Sequence, residues 1–392
     1  MTTDAAGDFA GICSSLAGGA HSVRFRGFNA LDRYFGLPAL PFLWIETSAD
    51  MAVLARFIDG LRYPGVQIAD CAADTPDGTC YFRCPDRDEK SKHSFPLLSF
   101  SYDWQARRFL DPLGVYPMLR DLRERKSFLM DGDASVGWYR LMMDGALLLA
   151  RYSFGLGTSL IDFTEFAKPQ DDGSAGPPPG AEMQRVFLGC LLVSPRPDLG
   201  LDFLKRSGFI DEIWPELACL NDVDHSKEFH PEGNVWNHTL ETFRHRKAGT
   251  NGAYDLRLSL GLLLHDTGKP ISAAYGTRRF NGHAELGATA ASRFLERLEF
   301  EPSLVSDVYY LVKNHMLPAA LKRLPVNKTA EIMASPLFPT LMELYRCDES
   351  SSFKGLDGYY ENSAAYQTYL KNVRNPYRSM DGKKIGKYKM HH

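Results

Sequence analysis

The stretch LGLLLHDTGKP, residues 260–270, decides how the rest of the chain is read. Its apolar run has the character of a buried helix, and Gly268 and Pro270 stop it. At that stop His265 and Asp266 stand side by side. A histidine at a helix end often only packs or caps the last carbonyls, but this pair has company. His238 lies within VWNHTLETF, His283 opens the segment AELGATAASRFLERL, His315 closes LVSDVYYLVKNHM and Asp348 ends FPTLMELYRCD. Each of these segments repeats apolar residues at spacings of three and four, so each is a helix with one face to bury. A bundle of such helices can aim all of these side chains into one pocket. Neutral imidazoles and carboxylates hold zinc, manganese, iron or nickel, and the two oxygens of an aspartate can bridge two ions. Paired ions activate a water and clamp the oxygens of a phosphoryl centre, which predicts a metal-dependent hydrolase site.

Composition sets the frame around that site. The chain has 392 residues, 44% apolar and 24% charged, enough for two or three cooperating domains. A formal net charge of −3 gives no global pull toward nucleic acid or anionic lipid, so partners must be read locally and no DNA partner is expected. No stretch approaches the roughly 20 apolar residues that span a bilayer. The polar start MTTDAAGDFAG lacks the basic and apolar regions of a signal peptide, so the expected location is cytoplasmic, without a membrane partner. Seven scattered cysteines form no disulfide framework; Cys71, Cys80 and Cys84 have the wrong spacing for a zinc ribbon and read as ordinary thiols.

The chain changes character near its middle. Residues 168–182, KPQDDGSAGPPPGAE, are almost devoid of apolar side chains and read as a flexible linker. Before it, LPFLWIET, GVQIADCA and GTCYFRCP read as strands of an α+β head; after it, MQRVFLGCLLV, LGLDFLKRSGFI and the histidine-bearing segments read as helices. The end of the chain, KNVRNPYRSMDGKKIGKYKMHH, is basic with scattered aromatics and reads as a solvated tail or as an RNA contact.

The order His238, His265-Asp266, Asp348 is similar to the H…HD…D signature of the HD-domain metal-dependent phosphohydrolases. His283 and His315 resemble the extra histidines of members that bind two metals. The resemblance implies one or two divalent ions (Mn, Fe, Ni, Co, Zn or Mg) held by His238, His265, Asp266, His283, His315 and Asp348, with Asp266 bridging. It also implies that Lys269 lies near substrate phosphate; from position alone, Lys269 reads equally well as a cation at a helix C-terminus. The similarity grows more specific outside this signature. FIDEIWPELACL, HPEGNVWNHTLETF, GLLLHDTGKP, NGHAELGA and LVKNHM follow, in order and spacing, the C-terminal half of bacterial tRNA nucleotidyltransferases, the CCA-adding enzymes that carry an HD domain. That match covers roughly residues 183–350. Upstream, FPLLSFSYDWQARRFLDPLG and GALLLARYSFGLG resemble two further segments of that family.

The implied fold is an α+β nucleotidyltransferase-like head followed by an all-α neck and an HD-domain helical bundle. The expected boundaries are a head over 1–135, neck over 136–167, linker over 168–182, a further neck or RNA-binding region over 183–222, the HD domain over 223–370 and the basic tail over 371–392. In the head, nucleotidyl transfer requires paired carboxylates on a strand to hold metal ions. The corresponding strand reads LPFLWIETSAD, which leaves Trp44, Ile45 and Glu46. VRFRGFNALDRYFG supplies Arg24 and Arg26 but no Gly-Gly pair, His93 and Ser94 stand where the family has Arg-Asp, and Leu141, Asp144 and Leu147 fall at expected basic positions. Asp86 and Asp88 sit in a charged, turn-rich run and read as a solvated loop. The expectation is therefore a metal-dependent HD phosphohydrolase with an inactive head, Asp266 and Lys269 being catalytic and the substrate a nucleotide or RNA-end phosphoester. The alternatives are CCA addition to tRNA, or an RNA-binding protein whose HD ligands hold a structural metal.

Overall fold

The computed structural model describes residues 8–65, 69–84, 92–123, 132–152, 175–223, 233–275, 280–352 and 355–385. They form two compact units, Met1–Ile213 with Ala248–Tyr254, and Trp214–Lys247 with Asp255–His392. The first unit begins with α1 (Phe9–Gly18), β1 (Val23–Arg26), α2 (Phe28–Phe35), β2 (Phe42–Thr47), α3 (Met51–Phe57), β3 (Cys71–Thr75) and β4 (Gly78–Arg83). It continues with β5 (Ser101–Asp103), β6 (Arg108–Leu110), α4 (Tyr116–Arg123), α5 (Trp138–Tyr152), α6 (Ala181–Leu192), α7 (Pro197–Arg206) and α8 (Phe209–Ile213). The strands form one mixed sheet in the order β3-β4-β2-β1-β5-β6, with β2 and β4 parallel and the other neighbours antiparallel.

Period-two alternation divides the side chains between the faces of this sheet. On β1, Val23 and Phe25 are buried while Arg24 and Arg26 alternate with them; on β2, Leu43 and Ile45 are buried while Trp44 and Glu46 are half-exposed. The register sets Arg24 and Arg83 on either side of Glu46, and Tyr81 beside Trp44. The Tyr81 end of that face is covered, since the Tyr81 hydroxyl donates to Glu182 on α6 at 3.0 Å. Asn29 stitches α2 to β2, donating to Phe42 O and accepting from Trp44 N. Arg151 on α5 pairs with Asp32 on α2, both buried, and the Tyr152 hydroxyl donates to the same carboxylate at 2.9 Å.

The expected linker does not divide the compact units. Residues 168–174 lie outside the described residues, 175–180 lead directly into α6, and α5 packs against α6 and α7 inside the first unit. At one point α5 and α7 come so close that a Cβ on Gly200 would lie 2.6 Å from Ala146 O. Proline- and glycine-rich composition identified a connection, but the division falls after Ile213, where no such composition marks it.

The second unit comprises α9 (Pro215–Ala218), α10 (Val235–Arg244), α11 (Leu256–Leu264), α12 (Gly268–Ala274), α13 (His283–Arg297), α14 (Pro302–Asn314), α15 (Val326–Met333), α16 (Phe338–Ser350) and α17 (Asp357–Val373). Helix α11 is buried against α14 and α16, and Gly261 allows that approach: a Cβ there would stand 2.9 Å from the Leu344 side chain. The chain does not leave the helical layer at Gly268 and Pro270. It makes one turn at His265–Thr267 and restarts as α12, whose first turn accommodates Pro270. Gly282, at φ +76°, then swings the chain into α13 in a conformation that favours glycine. No helix among the described residues is long and apolar enough to cross a membrane.

Candidate functional site

The second unit gathers every histidine and aspartate expected at its site. His238 comes from α10, His265 and Asp266 from the turn after α11, His283 from the first position of α13, His315 from the end of α14 and Asp348 from α16. Asp266 Oδ2 lies 3.2 Å from His265 Nε2 and 4.0 Å from His238 Nε2. Its other oxygen, Oδ1, lies 3.6 Å from His283 Nε2 and 3.9 Å from His315 Nε2. The aspartate thus faces two donor groups, His238-His265-Asp266 and Asp266-His283-His315. Asp348 Oδ1 stands 3.0 Å from His238 Nε2 beside the first group.

Hydrogen bonds fix which nitrogen of each ring carries its proton. His265 Nδ1 is 2.8 Å from Leu262 O, His283 Nδ1 is 2.8 Å from Phe280 O and His315 Nδ1 is 2.7 Å from Val312 O. A carbonyl only accepts, so each Nδ1 donates and each Nε2 presents its lone pair to the pocket. His238 reaches the same state through Ser351. That hydroxyl donates to Asp348 O at 2.6 Å, so at 3.2 Å it accepts from His238 Nδ1. The Nε2 lone pairs of His283 and His315 then face each other across 3.1 Å, and buried His265 Nε2 has no hydrogen-bond partner among the described residues. Lone pairs and carboxylate oxygens crowded together without protons between them require positive charge, and a divalent cation supplies it. The donor set fits such an ion.

Burial works against the charge of Asp266, but nearby positive charge, with the Lys269 ammonium in contact, holds the carboxyl well below the usual range. Burial lowers His315 to about 4 and also lowers His283, keeping both rings neutral, as ligands must be. Lys269 Nζ donates to Asp266 Oδ2 at 2.6 Å. It sits in the first turn of α12, so its reading as a cation at a helix C-terminus does not hold. Two glycines set this geometry. A Cβ on Gly268 would lie 1.9 Å from His283 O, and one on Gly287 would lie 2.9 Å from Gly268 N. Only residues without side chains let α12 and α13 meet so closely, bringing His283 to the Asp266 turn. Ser351 and Gly287 were not singled out in the sequence, and Gly268 was read there as a helix stop; the spacing of Gly287, four residues after His283, was the visible trace of the close approach.

The head presents a different pocket. A cavity of about 840 Å³ is lined by Arg24, Arg26, Lys92, His93, Ser101 and Asp111, among others. Arg26 Nε lies 2.7 Å from Glu46 and Arg24 Nη1 lies 3.6 Å from it. Trp44 stacks on Tyr81 with ring centroids 4.7 Å apart. Among the described residues no group of metal-ligating side chains occurs in this unit, and the strand offers Glu46 as its one carboxylate. Paired magnesium ions therefore do not fit the described residues of the head. Asp86 and Asp88 lie outside the described residues. Leu141 and Leu147 are buried in α5, and Asp144 accepts from Ser94 Oγ and Arg140 Nε. These positions serve packing and internal pairing. The cysteines are free thiols, and Cys71, Cys80 and Cys84 enter no ligand group among the described residues.

An α/β head followed by a largely helical part with an HD domain is the architecture of CCA-adding enzymes. Residues 235–341 match the HD domain family. The crystal structure of the Bacillus stearothermophilus CCA-adding enzyme in complex with CTP superposes over 92% of this chain and 81% of its own, with a TM-score of 0.52 at 12% identity, a likeness of fold. In sequence, the chain is 34% identical over 178 residues to the CC-adding tRNA nucleotidyltransferase of Thermus thermophilus, covering 43% of this chain and 39% of that protein. It is 32% identical over 262 residues to the A-adding tRNA nucleotidyltransferase of Deinococcus radiodurans, covering 63% of this chain and 56% of that protein. The chain thus spans between about two fifths and somewhat over half the length of these relatives.

These relatives overturn the expectation of an HD phosphohydrolase with an inactive head. They are named for adding nucleotides to tRNA, and the similarity to the Deinococcus radiodurans protein runs over 262 residues, well beyond the HD match at 235–341. The ligand signature led the sequence reading astray because it reports which atoms can hold a metal, whereas the reaction depends on the rest of the chain. What stands is a chain similar to tRNA nucleotidyltransferases over 178 to 262 residues, with an HD domain match and a His/Asp group suited to a divalent metal.

Proposed function

We propose that this protein acts on the 3′ end of tRNA as a nucleotidyltransferase, taking a nucleoside triphosphate as its second substrate, in the cytoplasm. The observation that carries this reading is the reach of the similarity to an A-adding enzyme, 32% identity over 262 residues. The head pocket supports it. Its volume of about 840 Å³ is in the range of small-molecule sites, and Arg24, Arg26 and Lys92 suit a phosphate chain. No step is derived through a metal in the head, since the strand presents Glu46 without a second carboxylate. In the other unit, His238, His265, Asp266 and Asp348 would hold one divalent ion, and Asp266, His283 and His315 a second, with Asp266 between them. The ion supplies positive charge to a cluster of neutral rings and carboxylates, and Lys269 offsets the rest of the charge on Asp266. Manganese, iron, nickel, cobalt, zinc and magnesium are the candidates.

The deciding experiment is incorporation of labelled ATP or CTP into tRNA transcripts that lack part or all of the terminal CCA. The full chain is supplied with magnesium or manganese. Label at the 3′ end is the expected result, and the preferred acceptor identifies the nucleotide added. No incorporation at enzyme concentrations equal to the tRNA overturns the reading.

A further inference from the structure

The head is basic where a nucleotidyltransferase is expected to be acidic. Glu46 has Arg24 and Arg83 as its neighbours across the sheet, and Arg26 Nε reaches it at 2.7 Å. Arg24 and Arg26 thus pair with Glu46, Arg83 lies beside it in the sheet, and Asp103 is the neighbour of Arg24 on the other side, where it accepts from Ala106 N at 2.9 Å. Lys92 and His93 line the same cavity as Arg24 and Arg26. Burial first, then the nearby guanidinium groups of Arg26 and Arg140, lowers the pKa of His93. The Nε of Arg24 is buried and has no hydrogen-bond partner among the described residues.

The acidic residues around this cavity are engaged elsewhere. Asp111 accepts from the backbone amides of Val115 and Tyr116 at 2.7 and 2.9 Å, where α4 begins. Asp133 accepts from Ser135 N at 2.9 Å, and Asp144 from Ser94 and Arg140. On the strand, Phe42 is buried and Trp44 is stacked on Tyr81, leaving Glu46 ion-paired. A magnesium ion requires several oxygen ligands in octahedral array and is repelled by neighbouring guanidinium groups. A phosphate chain has the opposite needs: guanidinium forks donate to its oxygens in pairs, and an ammonium group adds a point charge.

We infer that the head holds the phosphate chain of a nucleoside triphosphate by direct contact with Arg24, Arg26 and Lys92, with no divalent ion between protein and phosphate. This rests on the nucleotide-binding part of the function proposed above and specifies how binding is achieved. As phosphate enters, Glu46 gives up part of its hold on Arg24 and Arg26 to the incoming oxygens.

The test is calorimetric titration of the full chain with ATP and with inorganic triphosphate, in EDTA and in magnesium. Asp266→Ala is used as background so that metal binding in the HD pocket is weakened. Dissociation constants in EDTA within about threefold of those in magnesium are expected, with inorganic triphosphate binding and adenosine not binding. Arg24→Gln combined with Arg26→Gln should weaken ATP by at least about tenfold, the size of one charge-assisted hydrogen bond. Lys92→Ala, outside the sheet, should do so more mildly with the fold intact. Binding that appears only with magnesium or manganese overturns the inference while leaving nucleotide addition in place. So does ATP binding that survives both the arginine pair and Lys92→Ala. Metal-independent binding lost in these variants, together with no incorporation into tRNA, would overturn the proposed function and leave the inference standing.

Discussion

The two pockets of this chain are built from opposite charges. In the HD unit, imidazole lone pairs and carboxylate oxygens converge, and the nearest cation, Lys269, is spent on Asp266. In the head, guanidinium groups converge on Glu46 while the neighbouring carboxylates cap backbone amides or bind side chains. One pocket is made for a cation and the other for an anion. The difference teaches that one chain can build pockets of opposite preference from the same kinds of side chain, according to which of them are paired off: carboxylates face the HD pocket, while in the head they are engaged with backbone amides or cations.

The largest expected effect concerns the scaffold of the head rather than its pocket. Arg151→Ala leaves Asp32 buried without its cation and should cost about 3–5 kcal/mol in chemical denaturation of the full chain. A loss under about 1 kcal/mol would mean that Asp32 is solvated or protonated in the folded state. Next comes the cation pocket. Asp266→Ala removes the oxygens shared by both donor groups, and manganese affinity by calorimetry should fall by more than the roughly 10–100-fold that an outer partner costs. Unaltered metal content after this change would dissolve the contrast between the pockets.

Gly268→Ala should destabilise the second unit by about 1–3 kcal/mol, because a methyl group 1.9 Å from His283 O forces α12 and α13 apart. Metal affinity should fall with it, whereas a stability loss without any change in metal binding would show that His283 is not a ligand. Ser351→Ala removes the acceptor that holds the His238 ring and should weaken metal binding by about tenfold, with the fold unchanged by circular dichroism. The smallest effect sharpens the head. Trp44→Asp places a second carboxylate two residues from Glu46, and ATP binding should acquire a magnesium dependence of a few fold, read by the same titration with and without EDTA. Binding that stays indifferent to magnesium would mean that the arginines, and not the missing carboxylate, set the metal preference.

Much of the second unit was legible in the sequence. The spacings of three and four in VWNHTLETFRHR, AELGATAASRFLERL and LVSDVYYLVKNHM located α10, α13 and α14, and the histidines were correctly placed at or near helix ends. The restart of the chain as α12 was not legible, since Gly268 and Pro270 also end helices; tight contact with α13 decides the matter. The head was less transparent. LPFLWIET and GTCYFRCP contain β2 and β4, and GVQIADCA the start of β3, but β1, β5 and β6 carry only three or four residues each, too few for a period to declare itself. The function was misjudged because a complete ligand set outweighed the longer similarity that surrounds it.

By itself the sequence determined which side chains could hold a metal, since imidazole and carboxylate chemistry is a property of the residue, and which segments are amphipathic, since periodicity is a property of order. Tertiary structure alone decided that His265, His283 and His315 each surrender Nδ1 to a carbonyl three residues earlier and turn Nε2 inward. It alone set Arg24 and Arg83 beside Glu46. The carbonyl contacts are local, but the meeting of the Nε2 atoms and the sheet register join residues far apart in the chain, and only packing brings those to the few ångströms at which protons and charges are shared.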